Sequence, residues 1–116
     1  MRDHTKLRAF ELADEIALMT YAITRNFPKE EMFGLIAQMR KAAVSVPSNI
    51  VEGCTRSSQS EYVRFLGIAF GSLRELTYQA NLSYRLDYIE NRIYSKYEQK
   101  LSETGKVLSA LIRSLR

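Results

Sequence analysis

The sequence predicts an all-α fold, an antiparallel up-down-up-down four-helix bundle, and three observations predict it. Apolar residues recur at three- and four-residue spacing through most of the chain, the period that gives a helix one apolar face. Only Pro28, Pro47 and five glycines interrupt 116 residues, so long helices are permitted. The connections between the periodic segments are short, which makes successive helices antiparallel neighbours. The length suits one domain over residues 1–116, which buries about 65% of its unfolded surface without a metal or disulfide staple.

The first helix is expected from about Thr5 to Arg25. Leu12, Ile16, Met19 and Ile23 form its stripe, widened by Leu7, Phe10, Ala13, Ala17 and Thr20. Asn26-Phe27-Pro28 ends it, because the residue before a proline disfavours the α region. Pro28 suits the first position of the second helix, where a missing N–H costs nothing, and Glu30 and Glu31 carry the sign its dipole favours. Met32, Leu35, Ile36, Met39, Ala43 and Val46 give that helix its face. Pro47 removes the bond to the Ala43 carbonyl, so a kink is expected at Ala43–Pro47, with Ile50 and Val51 continuing the face to Gly53.

Ser58-Gln59-Ser60-Glu61 reads as a capping box opening the third helix. Tyr62, Phe65, Leu66, Ala69, Leu73, Leu76 and Ala80 carry it to about Leu86. Asp87-Tyr88-Ile89 is the expected connection. The fourth helix shows Ile93, Tyr97, Leu101, Thr104, Leu108, Leu111 and Leu115 at 3–4 spacing. Gly105 inside it costs about 1 kcal/mol relative to Ala, which suggests a close contact there.

Composition narrows function mainly by exclusion. Hydrophobic residues make up 46% and charged residues 26%, ordinary for a globular protein and unlike a disordered, collagen-like or membrane chain. No run reaches the ~18 apolar residues of a spanning helix. No apolar segment follows the basic start, so no secretory signal and a cytoplasmic location are expected. The single histidine, His4, and single cysteine, Cys54, cannot build a zinc site or the Glu-x-x-His pairs of a di-iron bundle. No glycine-rich phosphate loop is present. No metal, cofactor or catalytic residue is therefore expected, and an enzyme is disfavoured, although carboxylates alone still bind magnesium.

Two segments go beyond a generic bundle. One runs from Phe27-Pro28-Lys29-Glu30-Glu31-Met32-Phe33-Gly34-Leu35 into Ser45-Val46-Pro47-Ser48-Asn49-Ile50-Val51-Glu52-Gly53, and the other contains Gly71-Ser72-Leu73-Arg74-Glu75-Leu76. Over nearly the whole chain this resembles the 23S rRNA intervening-sequence, or S23, family of four-helix bundles. Val51 and Lys41 are small departures, where that family usually has Ala and often Arg. The resemblance implies a left-handed bundle that forms ring-shaped homopentamers. It also implies a link to ribosomal RNA insertions, and to accessory proteins of diversity-generating retroelements that bind a reverse transcriptase and nucleic acid. No enzymatic activity is established for that family as a group.

Five constellations are candidates for function. Arg40 and Glu75 lie at the edges of their apolar faces and read either as a partly buried ion pair that fixes register or as a polar site within the bundle or at a subunit seam. Pro47, Ser48 and Asn49 read as a bend with its backbone groups re-satisfied, or as an exposed recognition element. Gly67 and Gly71 share a helix face and imply close backbone approach, inside the bundle or between subunits. Arg92, Lys96 and Lys100 repeat every four residues as a basic stripe. Tyr78, Tyr84, Tyr88, Tyr94 and Tyr97 cluster around it in sequence, so Tyr88 and Tyr94 read as base-stacking residues with Arg85 and Arg92 on phosphates, or else as aromatic caps beside a solvated face. The formal charge is +4; a ring of five would carry +20, which favours polyanions. The expectation is a non-enzymatic homo-oligomer that binds structured RNA or a reverse-transcriptase-like nucleoprotein through this basic surface. The alternative is a protein-interaction scaffold with no direct nucleic-acid role.

Overall fold

A computed structural model describes residues 2–116. Four helices hold the chain: α1 (Arg8–Thr24), α2 (Leu35–Cys54), α3 (Gln59–Arg85) and α4 (Asn91–Leu115), with single 3₁₀ turns at His4–Lys6 and Lys29–Glu31. Each helix packs on two others, α1 on α2 and α4, and α3 on α2 and α4. Contacts descend along one helix as they ascend along its neighbour. Arg8 meets Glu103 and Thr20 meets Tyr97 between α1 and α4, while Ser45 meets Ser72 and Met39 meets Ser83 between α2 and α3. The core between the four helices is filled by Leu12, Ile16, Met39, Val46, Ile50, Leu66, Leu73, Leu76, Tyr97 and Leu108, all almost completely shielded. No helix among the described residues is long and apolar enough to cross a membrane.

The helix ends depart from the sequence expectation where a non-local contact takes over. α1 begins at Arg8 rather than Thr5, because Asp3 accepts hydrogen bonds from the Thr5 N–H and hydroxyl and closes a separate turn ahead of an extended Leu7. α2 begins at Leu35 rather than Pro28. Glu31 Oε1 accepts from the Leu35 N–H at 3.1 Å, satisfying one donor of that helix start, and Glu31 Oε2 accepts from the Tyr88 hydroxyl at 2.9 Å. Met32 and Phe33, expected on or beside the helix, instead stand 54% and 91% exposed in the turn. On α4, Ile93 is 43% exposed and Ile112 is buried in the core.

Other signals hold. Ser58 Oγ accepts from the Glu61 N–H at 3.2 Å, although the Glu61 carboxylate turns to Arg64 and does not complete the box. α3 ends in a Schellman motif: Asp87 N–H donates to the Tyr84 carbonyl and Tyr88 N–H to the Ser83 carbonyl, with Asp87 at φ 65°. α2 continues through Pro47. There the Asn49 amide donates back to the Ser45 carbonyl and hydroxyl, and Ser45 shares a 2.8 Å hydrogen bond with Ser72 of α3.

Candidate nucleic-acid interface

The charge of the chain is concentrated on α4, which carries five Lys or Arg against two Glu. Arg92 and Lys96 are exposed and form no salt bridge with any described carboxylate. At the same end of the bundle, the rings of Tyr84 and Tyr94 stack at 4.2 Å with 8° between their planes. The stack is held at its rim: Asn81 donates to the Tyr94 hydroxyl at 3.1 Å, and the Tyr84 hydroxyl donates to Asn91. Arg85 is exposed and donates to Asn81 Oδ1 at 2.9 Å, so it belongs to the same polar cluster. Of the predicted interface residues, Arg85, Arg92, Tyr94 and Lys96 all lie near the α3–α4 connection, but Tyr94 faces α3, whereas Arg92 and Lys96, two residues either side of it, lie on the other side of α4.

Two predicted members do not join them. Lys100 points to α1, where its ammonium pairs with Glu15 at 2.9 Å and lies 3.8 Å from Glu103. Arg8 pairs with the same Glu103 at 3.2 Å. These contacts raise the Lys100 pKa and lower that of Glu15, chiefly through their mutual hydrogen bond. Lys100 is thus a member of an α1–α4 charge network rather than a free phosphate contact. Tyr88 is half-buried with its ring 5.4 Å from that of Phe27 and its hydroxyl on Glu31. That hydrogen bond, with some desolvation, pushes its phenol pKa up. Tyr88 thus ties the α1–α2 turn to the α3–α4 connection, with its hydroxyl engaged by Glu31 and its ring against Phe27.

The remaining candidates also find definite places. Arg40 is not paired with Glu75. Its Nε donates to Thr24 Oγ1 at 2.9 Å and its guanidinium lies 4.6 Å over the Tyr21 ring, both on α1. Glu75 is exposed and accepts only from Gln79, one turn along α3. An i,i+3 or i,i+4 pattern cannot reveal which neighbouring helix a side chain at the edge of a stripe will meet. Asn49 spends its amide inside α2, leaving Ser48 exposed beside the buried Pro47. Cys54 is buried, and burial pushes its thiol pKa up, the reverse of an activated thiolate. Among the described residues no three His, Cys, Asp or Glu side chains gather as a metal-ligand set.

Gly67 and Gly71 are exposed, and a Cβ at either would meet nothing within 4 Å. The expectation of close approach inside the bundle is therefore overturned for both. Two other glycines have close neighbours: a Cβ at Gly34 would lie 2.5 Å from Glu31 Oε1, and one at Gly53 would lie 3.0 Å from Phe65 Cβ and 3.2 Å from Tyr62 Cδ1. At Gly105 a Cβ would meet only Leu73 Cδ2, at an ordinary 3.7 Å.

Gly105 instead lines a groove of about 460 Å³ between α3 and α4, with Leu73 and Leu101 on its floor. Arg74, Lys106 and Arg113 line it, with Glu98 as the one acidic residue. The sequence reading passed over this set. Its signal was present, since Lys106 and Arg113 lie seven residues apart, two turns on one face, beside a helical glycine with no packing reason.

The family model described as 23S rRNA-intervening sequence protein matches residues 5–110. A solved structure from Bacteroides thetaiotaomicron, a protein with unknown function from the S23 ribosomal protein family, superposes with a TM-score of 0.80. It is 23% identical, and the match covers 90% of this chain and 97% of that one. No curated protein matches the chain.

Proposed function

The chain belongs to the 23S rRNA-intervening sequence protein family, and from that premise we propose that it is a homo-oligomeric bundle protein that binds structured RNA, free or within a nucleoprotein, without catalysing a reaction. The observation that carries this reading is the unneutralised start of α4: Arg92 and Lys96 are exposed without carboxylate partners, and Arg85 and the Tyr84–Tyr94 stack lie at the same end of the bundle. Cations without carboxylate partners contact phosphates at low cost, and aromatic rings held by their rims present faces and edges to unpaired bases. Because Lys100 is engaged by Glu15 and Tyr88 by Glu31, the working surface is smaller than the sequence pattern implied.

Self-association is supported by the bare face of α3. Gly67, Ile68 and Gly71 form an uncharged exposed strip with no side-chain obstruction at the glycines, which permits close approach of another chain. A ring of five, the assembly that the family resemblance implies, would repeat the α4 surface around its circumference and multiply its charge.

A second reading, a scaffold that docks a protein partner, is favoured by one observation: Met32 and Phe33 project from the α1–α2 turn with most of their surface in solvent. Retention of a labelled structured RNA at physiological salt separates the two. Retention by the native protein and its loss in an R85A/R92A/K96A variant of unchanged fold support RNA binding. No retention by the native protein overturns it and moves attention to Phe33.

A further inference from the structure

The α3–α4 groove has the features of a ligand site that the bundle itself does not need. Its floor is apolar, formed by Leu73 and Leu101, and Phe70 forms part of its wall. Leu73 stands opposite Gly105, 3.7 Å from where a Cβ would be, and the residues that follow them, Arg74 on α3 and Lys106 on α4, both line the groove. Arg113 stands two turns further along α4, about 10 Å at 1.5 Å per residue. None of the three pairs with a described carboxylate; Arg113 donates only to Ser109 of its own helix. Glu98 lies about 12 Å of helix rise away from Lys106, at the opposite end.

Gly105 keeps the floor open. Its missing side chain lowers helix propensity, and no close neighbour explains the choice. A volume of about 460 Å³ falls within the roughly 300–1,000 Å³ range of small-molecule sites. A bare phosphate would leave the apolar floor unused, whereas an acyl chain would leave the cations unused. The combination fits a phosphate joined to a planar ring.

We propose that this groove binds one unpaired nucleotide of a structured RNA, with its phosphate between Arg74 and Lys106 and its base against the Phe70–Leu101 side. Arg113 receives the adjacent phosphate. The choice of ligand rests on the RNA-binding reading above, and the groove adds a second contact on the same helix as Arg92 and Lys96.

The test has two arms. In the first, uridine monophosphate and inorganic phosphate are titrated separately into the full-length protein, followed by amide NMR. Shifts centred on Ser102, Gly105 and Lys106, with the nucleotide binding more tightly than phosphate, are expected. R74A/K106A should weaken nucleotide binding by about tenfold. G105L, which fills the floor while improving helix propensity, should abolish it without lowering Tm. Shifts elsewhere, no shifts, or equal affinity for phosphate and nucleotide overturn the proposal.

In the second arm a labelled structured RNA with unpaired loop nucleotides is titrated against native protein and G105L. Equal RNA binding by both overturns the groove as part of the RNA surface and leaves RNA binding itself intact. Nucleotide binding in the groove with no RNA binding by native protein leaves the groove as a nucleotide site and overturns the RNA reading.

Discussion

Thr20 on α1 and Tyr97 on α4 join their hydroxyls across the buried core, 2.5 Å apart, where neither side chain has measurable exposure. The two ends of this bond are not equivalent. Thr20 also donates to the Ile16 carbonyl at 2.7 Å, whereas Tyr97 has no other partner. Tyr97→Phe should therefore cost only about 1 kcal/mol, and Thr20→Val, which strands a buried phenol, about 1–3 kcal/mol. Chemical denaturation of both variants checks the order; equal losses would contradict it.

The same burial raises the Tyr97 pKa well above its ordinary value near 10. For a group whose pKa is higher in the folded state, the stabilisation is complete below the unfolded value and is lost as pH rises toward the folded one. Stability should thus fall above about pH 10. That fall should be shallower in Tyr97→Phe, as thermal melts between pH 8 and 11 would show.

Gly67 and Gly71 separate folding from association. Alanine at either meets open space, so each substitution should stabilise the isolated chain by up to about 1 kcal/mol. In an oligomer sealed by this strip, the double variant should be more thermostable as a monomer yet dissociate at higher concentration, which light scattering against dilution reads directly. Gly53→Ala is the control, since the added methyl would crowd Phe65 and Tyr62. It should lower Tm.

Arg40 should matter through α1 and not through Glu75. Arg40→Ala removes the bond to Thr24 and the contact with Tyr21, a loss of about 1 kcal/mol. Thr24 keeps its bond to the Thr20 carbonyl. Glu75→Ala should change stability by less than about 0.5 kcal/mol. Coupling between the two in a double-mutant cycle would contradict the geometry.

Asp87 occupies a left-handed position at φ 65° that closes α3. Glycine adopts this conformation without the penalty of a side chain. Asp87→Gly should raise stability by about 0.5–1 kcal/mol and, by removing a carboxylate near Arg85 and Arg92 in the chain, should strengthen rather than weaken RNA binding.

What the sequence made legible was what depends on neighbours along the chain. The helical periods, the Ser58 cap and the end of α3 follow from local chemistry, and each is found. The start of α2 was misread because Pro28, Glu30 and Glu31 carry valid start signals, yet Glu31 is drawn to Leu35 and to Tyr88, 57 residues away. The basic stripe was visible as a period, but the acids that neutralise Lys100 sit on α1 as well as α4. Arg40 failed for the same reason: a helical period says which face a charge occupies, not what faces it.

On the proposed reading, α4 holds RNA through phosphate contacts. Fluorescence anisotropy of native protein and an R92A/K96A variant, against structured RNA, duplex DNA and a random single strand over a salt series, tests it most directly. A preference for structured RNA at physiological salt is expected. The log–log salt slope should be shallower in the variant by about 0.7–0.9 per lost phosphate contact. Weak and equal binding to all three probes, or a variant with the slope and affinity of the native protein, would contradict it.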